Sequence, residues 1–322
     1  MKEYYLDEVN DISKKVTNYK DCFKFAVVAD SHLDNSIEDT FLNIQEVDKN
    51  VNFRCLLHLG DFLNGNLSKR YTREILQTQM EKFCNSINGK CFYPVQGNHD
   101  GFADLTSPYS PDMAVDEEWY EATKFLNKYE NTVRKMNKPY YYVDYTEDKI
   151  RIIVLCTCHY GGYYDGEAYE KKYGIDSEQI EWIENEALDI GEDWTVMIFS
   201  HDTPFKEFDE TACINNPKIN GNTAMNIIKH TCKKNGFAFA GWFVGHHHGD
   251  FIGKVNGINF ILVASETAYI PQLFGMQNGG YYPERQLNTV TEDLWDAVVL
   301  DKNERKIRLF RFGAGNDREI AY

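Results

Sequence analysis

The sequence predicts an α/β fold in one domain over residues 1–322, with two packed β-sheets flanked by helices. Three observations carry this reading. Short apolar runs alternate with amphipathic helical stretches in the first half, an order that implies parallel strands joined by right-handed crossovers. Hairpin signals dominate the end of the chain, which implies antiparallel strands there. No internal repeat, low-complexity tract or Pro/Gly/Ser-rich linker divides the 322 residues.

The elements follow in order. Residues 23–29 (FKFAVVA), 55–59 (CLLHL) and 91–96 (CFYPVQ) read as strands, because short, mostly apolar runs of this length suit strands. Between the second and third, Ile75, Leu76, Met80, Phe83 and Ile87 recur at a spacing that predicts a helix over 68–88. Residues 140–145 and 150–157 predict a hairpin. Asp176 or Ser177 is placed to cap a helix running to Leu188. Strands at 194–200 and 237–244 enclose a helix at about 222–234. Asn256-Gly257 between apolar runs marks a turn within a hairpin over 251–264. A last hairpin spans 294–300 and 305–312, within residues 294–312. Long loops are expected at 101–139, 159–175 and 271–290, the first as a cap insertion carrying Trp119, Tyr120 and Phe125.

Composition narrows the function. Lys plus Arg number 34 against 50 Asp plus Glu, a formal charge of −16. That charge argues against a large nucleic-acid partner or an anionic membrane surface. No apolar stretch approaches the ~18 residues of a transmembrane helix. The first residues, MKEYYLDEVNDISKK, lack the apolar segment of a signal peptide. The eight cysteines sit mostly in apolar runs and read as reduced buried thiols, so a cytoplasmic protein is expected.

The chemistry gathers where strands should end. Asp30-Ser31-His32 follows the first strand, Gly60-Asp61 the second and Gly97-Asn98-His99-Asp100 the third. His201 follows the strand at 194–200, and Gly245-His246-His247-His248 the strand at 237–244. In an extended chain, residues at i and i+2 share a face, so Asp30 pairs with His32 and His246 with His248. Ligand sites of open α/β sheets lie beyond the carboxyl ends of the strands. Mixed imidazole, carboxylate and amide donors suit Zn, Mn or Fe rather than Ca, and the missing thiolate set argues against a structural zinc. A bridging carboxylate can hold two ions about 3.5–4 Å apart.

The ordered series Asp-x-His, Gly-Asp, Gly-Asn-His-Asp, His and Gly-His-x-His resembles the calcineurin-like metallophosphoesterase family over roughly residues 23–265. The resemblance implies a four-layer α/β/β/α sandwich of two mixed sheets and two divalent metal ions (Mn, Zn or Fe) at the strand ends. It assigns Asp30, His32 and His248 to one ion, Asn98, His201 and His246 to the other, and Asp61 to both. It makes His99 the acid beside the scissile ester, with Asp100 orienting it. His201 is followed by Asp202-Thr203-Pro204, where many relatives carry a second histidine. The implied activity is hydrolysis of a small phosphodiester or nucleotide by a bridging metal-bound hydroxide. The alternatives are a phosphomonoesterase and a catalytically silent scaffold on the same fold. The His-x-His-x-Asp-His cluster of metallo-β-lactamase-type hydrolases is absent.

Other residues carry weaker signals. His159 opens a Gly- and Tyr-rich loop and is a candidate substrate contact at the rim. His247 reads as structural, since its neighbours take the metal face, and His58 reads as a satisfied core histidine. The sequence leaves oligomeric state open.

Overall fold

The computed structural model describes residues 1–32, 37–64, 78, 80–81, 84–85, 89–100, 116–159, 162–164, 167–169, 172–203, 220–267 and 280–322, with backbone only for Ile37, Glu117 and residues within 159–173. The elements used below are α1 (Leu6–Thr17), β1 (Phe23–Val28), α2 (Ile37–Val51), β2 (Cys55–His58), β3 (Cys91–Pro94), α3 (Asp116–Ala122), β4 (Thr132–Arg134), β5 (Tyr141–Tyr145) and β6 (Ile150–Val154). They continue as β7 (Cys158–His159), β8 (Gly162–Tyr164), β9 (Glu167–Tyr169), β10 (Lys172–Tyr173), α4 (Ser177–Trp182), β11 (Thr195–Phe199), α5 (Gly221–Asn235) and β12 (Ala238–Val244). The chain ends in β13 (Phe251–Val255), β14 (Ile258–Leu262), β15 (Leu294–Asp301), β16 (Lys306–Gly313) and β17 (Arg318–Ala321).

Two mixed sheets form the body. The first has the order β17-β16-β15-β1-β2-β3, and the second β13-β14-β12-β11-β6-β5-β4. β1, β2 and β3 pair in parallel, as do β6, β11, β12 and β14. β15, β16 and β17 extend the first sheet beyond β1, each antiparallel to its neighbour. The inner faces meet through Phe25, Leu57, Tyr93, Val154, Phe199, Phe243 and Val298. Phe199 stacks on Phe243 at 4.8 Å, and Phe25 meets both edge-on. α1 and α2 cover the outer face of the first sheet with Val9, Ile12, Val16, Ile44 and Val47. α4 and α5 cover the second with Trp182, Ala224, Met225 and Ile228. This is the expected helix–sheet–sheet–helix layering, and it turns the carboxyl ends of β1, β2, β3, β11 and β12 toward one edge.

Three expectations needed correction. Part of the stretch 101–139 is not loop: residues 116–134 hold α3, a 3₁₀ turn at Lys124–Lys128 and β4. Trp119 is buried against Phe62 and Phe125 stacks on Phe92, so both aromatics serve the core; residues 101–115 lie outside the described residues. The stretch 159–175 contains short paired strands, β7 with β10 and β8 with β9. The helix expected to Leu188 ends its α-helical turns at Trp182 and continues in wider turns through Ala187, while Asp176 caps it by accepting from the Gln179 N–H. Of the helix expected over 68–88, only Thr78, Met80, Glu81, Cys84 and Asn85 are described, all helical. Among the described residues no helix is long and apolar enough to cross a membrane.

The aromatic layer between the sheets sets the distance between the two sets of strand ends. Phe199→Ala is expected to cost about 3–5 kcal/mol, the range for truncating a buried aromatic. A denaturant-unfolding midpoint indistinguishable from the parent would contradict that packing.

Candidate metal centre

The polar residues follow their strands in a strained backbone. Asp30 (φ 53°), His32 (φ 46°), Asp61 (φ 54°), His246 (φ 69°) and His248 (φ 57°) all occupy the left-handed region. Non-glycine residues reach that region at a cost of about 1–2 kcal/mol each, so the surroundings must hold them there. Backbone bonds between turns do part of this: Asp30 N–H donates to the Gly60 carbonyl and His32 N–H to that of Asp61, each at 3.0 Å. The turns also touch tightly. A Cβ on Gly97 would lie 2.3 Å from Asp61 Oδ1, and a Cβ on Gly60 (φ 97°) would lie 2.7 Å from Gly97 Cα. Glycine is required at both positions for that approach.

Two groups of donor atoms result, and they share Asp61. Asp30, His32, Asp61 and His248 form one, and Asp61, His201 and His246 the other, with the donor atoms of each within 4.8 Å of one another. His32 Nε2 faces His248 Nε2 at 3.1 Å, and His246 Nδ1 faces His201 Nε2 at 3.2 Å. Asn98 Oδ1 lies 2.9 Å from His201 Nε2, which places it with the second group. Asp61 Oδ2 lies 3.2 Å from His201 Nε2 and 3.8 Å from His32 Nε2. The seven residues expected as ligands therefore converge.

Residues 59–64 orient the imidazoles. His201 Nδ1–H donates to the Leu59 carbonyl at 2.7 Å, His32 Nδ1–H to Leu63 at 3.1 Å and His99 Nδ1–H to Asn64 at 2.9 Å. Each bond leaves Nε2 aimed at the cluster, the tautomer that a metal-ligating histidine needs. Asp100 clamps the same segment. Its buried carboxylate accepts the N–H groups of Asp61, Phe62, Leu63 and Gly97 at 2.8–3.2 Å. The Asn64 carbonyl, not Asp100, therefore holds the His99 ring. This corrects the expectation for Asp100: the carboxylate shapes the Asp61 turn.

Charge is unevenly placed. Burial keeps His32 and His248 neutral, with pKa values lowered to about 4 and about 3. Burial also pushes the Asp30 carboxyl well above its ordinary value, against the pull of His201. Burial works against the Asp61 charge too, yet His201 and His99 hold Asp61 well below the ordinary carboxylate range. Burial would lower His201 as well, but Asp61 and then Asp30 raise it to about 10. The neutral His32 and His248 rings, an ionised shared carboxylate and converging donors fit divalent cations with nitrogen and oxygen ligands. Asp202 is buried behind the second group, its Oδ1 3.6 Å from His247 Nε2 and 3.9 Å from His246 Nε2. The buried ring of His247 thus sits beside a carboxylate, next to the His246 ring. The backbone of His159 pairs with Lys172 in a short strand; its side chain is outside what the structure describes. The roles of Leu59, Leu63 and Asn64 were not anticipated, because backbone carbonyls leave no signal in side-chain identity.

The chain matches one protein family and shares its fold with solved structures. The sequence model described as calcineurin-like phosphoesterase matches residues 23–250. No curated protein matches significantly. The fold is similar to a dimetal phosphatase from Danio rerio, with TM-score 0.56 and 12% identity over 93% of this chain and 99% of that one. It is also similar to GAP50, the anchor in the inner membrane complex of Plasmodium, with TM-score 0.54 and 10% identity over 89% of this chain and 83% of that one. At such identities these likenesses speak to fold alone.

His201, raised to about 10, carries a proton at neutral pH in the metal-free protein. A cation bound through its Nε2 must displace that proton. Uptake of Mn(II) or Zn(II) is therefore expected to release a proton and to strengthen from about pH 7 to about pH 9. Calorimetric titration in two buffers of different ionisation enthalpy measures the release; uptake without it would refute the protonated His201.

Proposed function

The chain belongs to the calcineurin-like phosphoesterase family, and from that premise we propose that it hydrolyses a small phosphoester at a pair of divalent ions. The observation that carries the proposal is the pair of donor clusters joined at Asp61. Asp30, His32 and His248 would hold one ion, Asn98, His201 and His246 the other, and Asp61 both. When bound, such a pair supplies Lewis-acid stabilisation of phosphoryl oxygens and lowers the pKa of water toward neutrality.

The protein's own residues supply the rest. The His99 N–H donates to Asp61 Oδ1 at 2.7 Å, which fixes the backbone beside the shared carboxylate. With Nδ1 committed to Asn64, His99 Nε2 faces the cluster 3.9 Å from Asp61 Oδ2, on a partly exposed ring. That nitrogen is placed to give a proton to a leaving alkoxide, and histidine suits the task near neutral pH. The net charge of −16 favours a small phosphodiester or nucleotide over a polyanion. A phosphomonoester is the second substrate class. A silent scaffold is disfavoured because no ligand position has been lost.

Bis-p-nitrophenyl phosphate and p-nitrophenyl phosphate, offered to metal-stripped protein with Mn, Zn or Fe restored, rank diester against monoester. Asp61→Ala is expected to lose both metal and nearly all turnover. His99→Ala is expected to keep its metal and lose about 10²–10⁴-fold in rate, most for esters with poor leaving groups. Full activity of His99→Ala on an alkyl phosphodiester would remove the acid role.

A further inference from the structure

His58 is the last residue of β2, fully buried, and none of the roles above uses it. Its ring has partners on both of the turns that meet at the cluster. The Gly60 N–H donates to His58 Nδ1 at 3.2 Å. A nitrogen that accepts carries no proton, so the neutral ring bears its hydrogen on Nε2. That N–H then donates to Ser31 Oγ at 2.7 Å. The ring face stacks on Phe62, with centroids 3.7 Å apart and planes 19° apart. One imidazole thus contacts the middle residue of Asp30-Ser31-His32 and both chain neighbours of Asp61. In the main chain, the His58 carbonyl accepts the Val95 N–H at 2.8 Å, which joins the third strand end to the same point.

We propose that His58 is a positioning residue for the metal centre, a strut that fixes the separation of the Asp30–His32 turn from the Asp61 turn. Asp30 and His32 belong to one donor group and Asp61 to both, so this separation sets where the shared carboxylate lies relative to the first group. The left-handed backbone at Asp30, His32 and Asp61 needs such a restraint, since each turn gains by relaxing. Burial holds the ring neutral, well below the ordinary histidine range, so the donor–acceptor polarity of the strut persists at physiological pH. A histidine that served packing alone would need only its ring face on Phe62. The two directed bonds to Ser31 and Gly60 are what packing does not explain.

The inference rests on the dinuclear reading, and the experiment separates the two. Mn(II) is titrated into metal-stripped wild-type, His58→Phe, His58→Gln and Ser31→Ala proteins. Stoichiometry and affinity are measured directly, and electron paramagnetic resonance reads the exchange coupling of neighbouring Mn(II) ions. Wild-type protein is expected to hold a coupled pair. His58→Phe keeps an aromatic face for Phe62 but loses both bonds, and is expected to bind Mn(II) about tenfold more weakly or worse, with the coupled signal lost or altered. His58→Gln retains an amide N–H for Ser31 and is expected to restore much of the coupling. Ser31→Ala breaks the strut at its other end, and the double variant with His58→Phe is expected to be no worse than His58→Phe alone. Should His58→Phe not fold, as judged by circular dichroism, Ser31→Ala carries the test. Coupling and affinity unchanged in the folded variants would overturn the strut and leave the dinuclear centre standing. A wild-type protein that never holds a coupled pair would overturn the dinuclear reading, and the strut with it.

Discussion

The site depends on one constraint: a buried carboxylate, Asp61, must stay ionised where two sets of imidazoles converge. Burial opposes that charge, and His201 and His99 offset it. The rest follows from keeping Asp61 in place. Asp100 spends its carboxylate on the backbone around Asp61, and Gly97 leaves room for the turn. The carbonyls of Leu59, Leu63 and Asn64, from the same few residues, orient His201, His32 and His99. Residues 59–64 therefore serve twice, carrying the shared carboxylate and setting the tautomers of three histidines around it.

The chain's far end braces this arrangement. β15 lies beside β1, so residues near the C-terminus complete the sheet whose first strand leads into Asp30. Ser265 Oγ–H donates to the Asp30 carbonyl at 2.8 Å and Glu266 N–H to the Ala29 carbonyl at 2.8 Å. Arg285 in turn donates to the carbonyls of Ser265 and Glu266. Asp250, just past His248, is buried with Asp296 and Arg311, and Arg311 and the half-buried Arg318 each pair with both carboxylates. Buried charges persist only when paired in this way, and removing one partner of such a set is far more costly than breaking a surface pair.

Much of this was legible in the sequence, for physical reasons that also explain what was not. Strands such as FKFAVV are buried almost throughout, so a mostly apolar run reveals them, and a sudden Asp, Gly or Asn reveals their ends. The edge strand β17 (REIA) mixes charge with single apolar residues and shows no such run; its pairing with β16 is a tertiary fact. α1 stayed hidden inside a charged N-terminal segment whose apolar residues face the first sheet. Side-chain type pointed to the donors that the fold brings together, because metals demand particular donors. It misled at Asp100, where adjacency to His99 implied contact but the carboxylate turns back to the Asp61 backbone. His58 was correctly read as buried, but its bond to Ser31 joins residues 27 apart in the chain, which no local pattern encodes.

Electrostatics ties the site to the acidic surface around it. Without cations, Asp30 and Asp61 cannot both be ionised in this buried space at little cost, and protons take the place of metal: Asp30 is pushed toward its neutral form while His201 is driven to its cationic one. A pair of divalent ions would replace those protons with four positive charges, of which Asp30 and Asp61 balance two. The excess is local. Charges more than about 10 Å apart are largely screened from one another at ordinary ionic strength. A small phosphoester lying within that distance of the cluster meets the positive excess. A long polyanion must also lie along the surface of a chain with net charge −16. On the proposed reading, substrate size would be filtered by the contrast between a short-range positive centre and the chain's net negative charge, before any side chain at the rim makes contact.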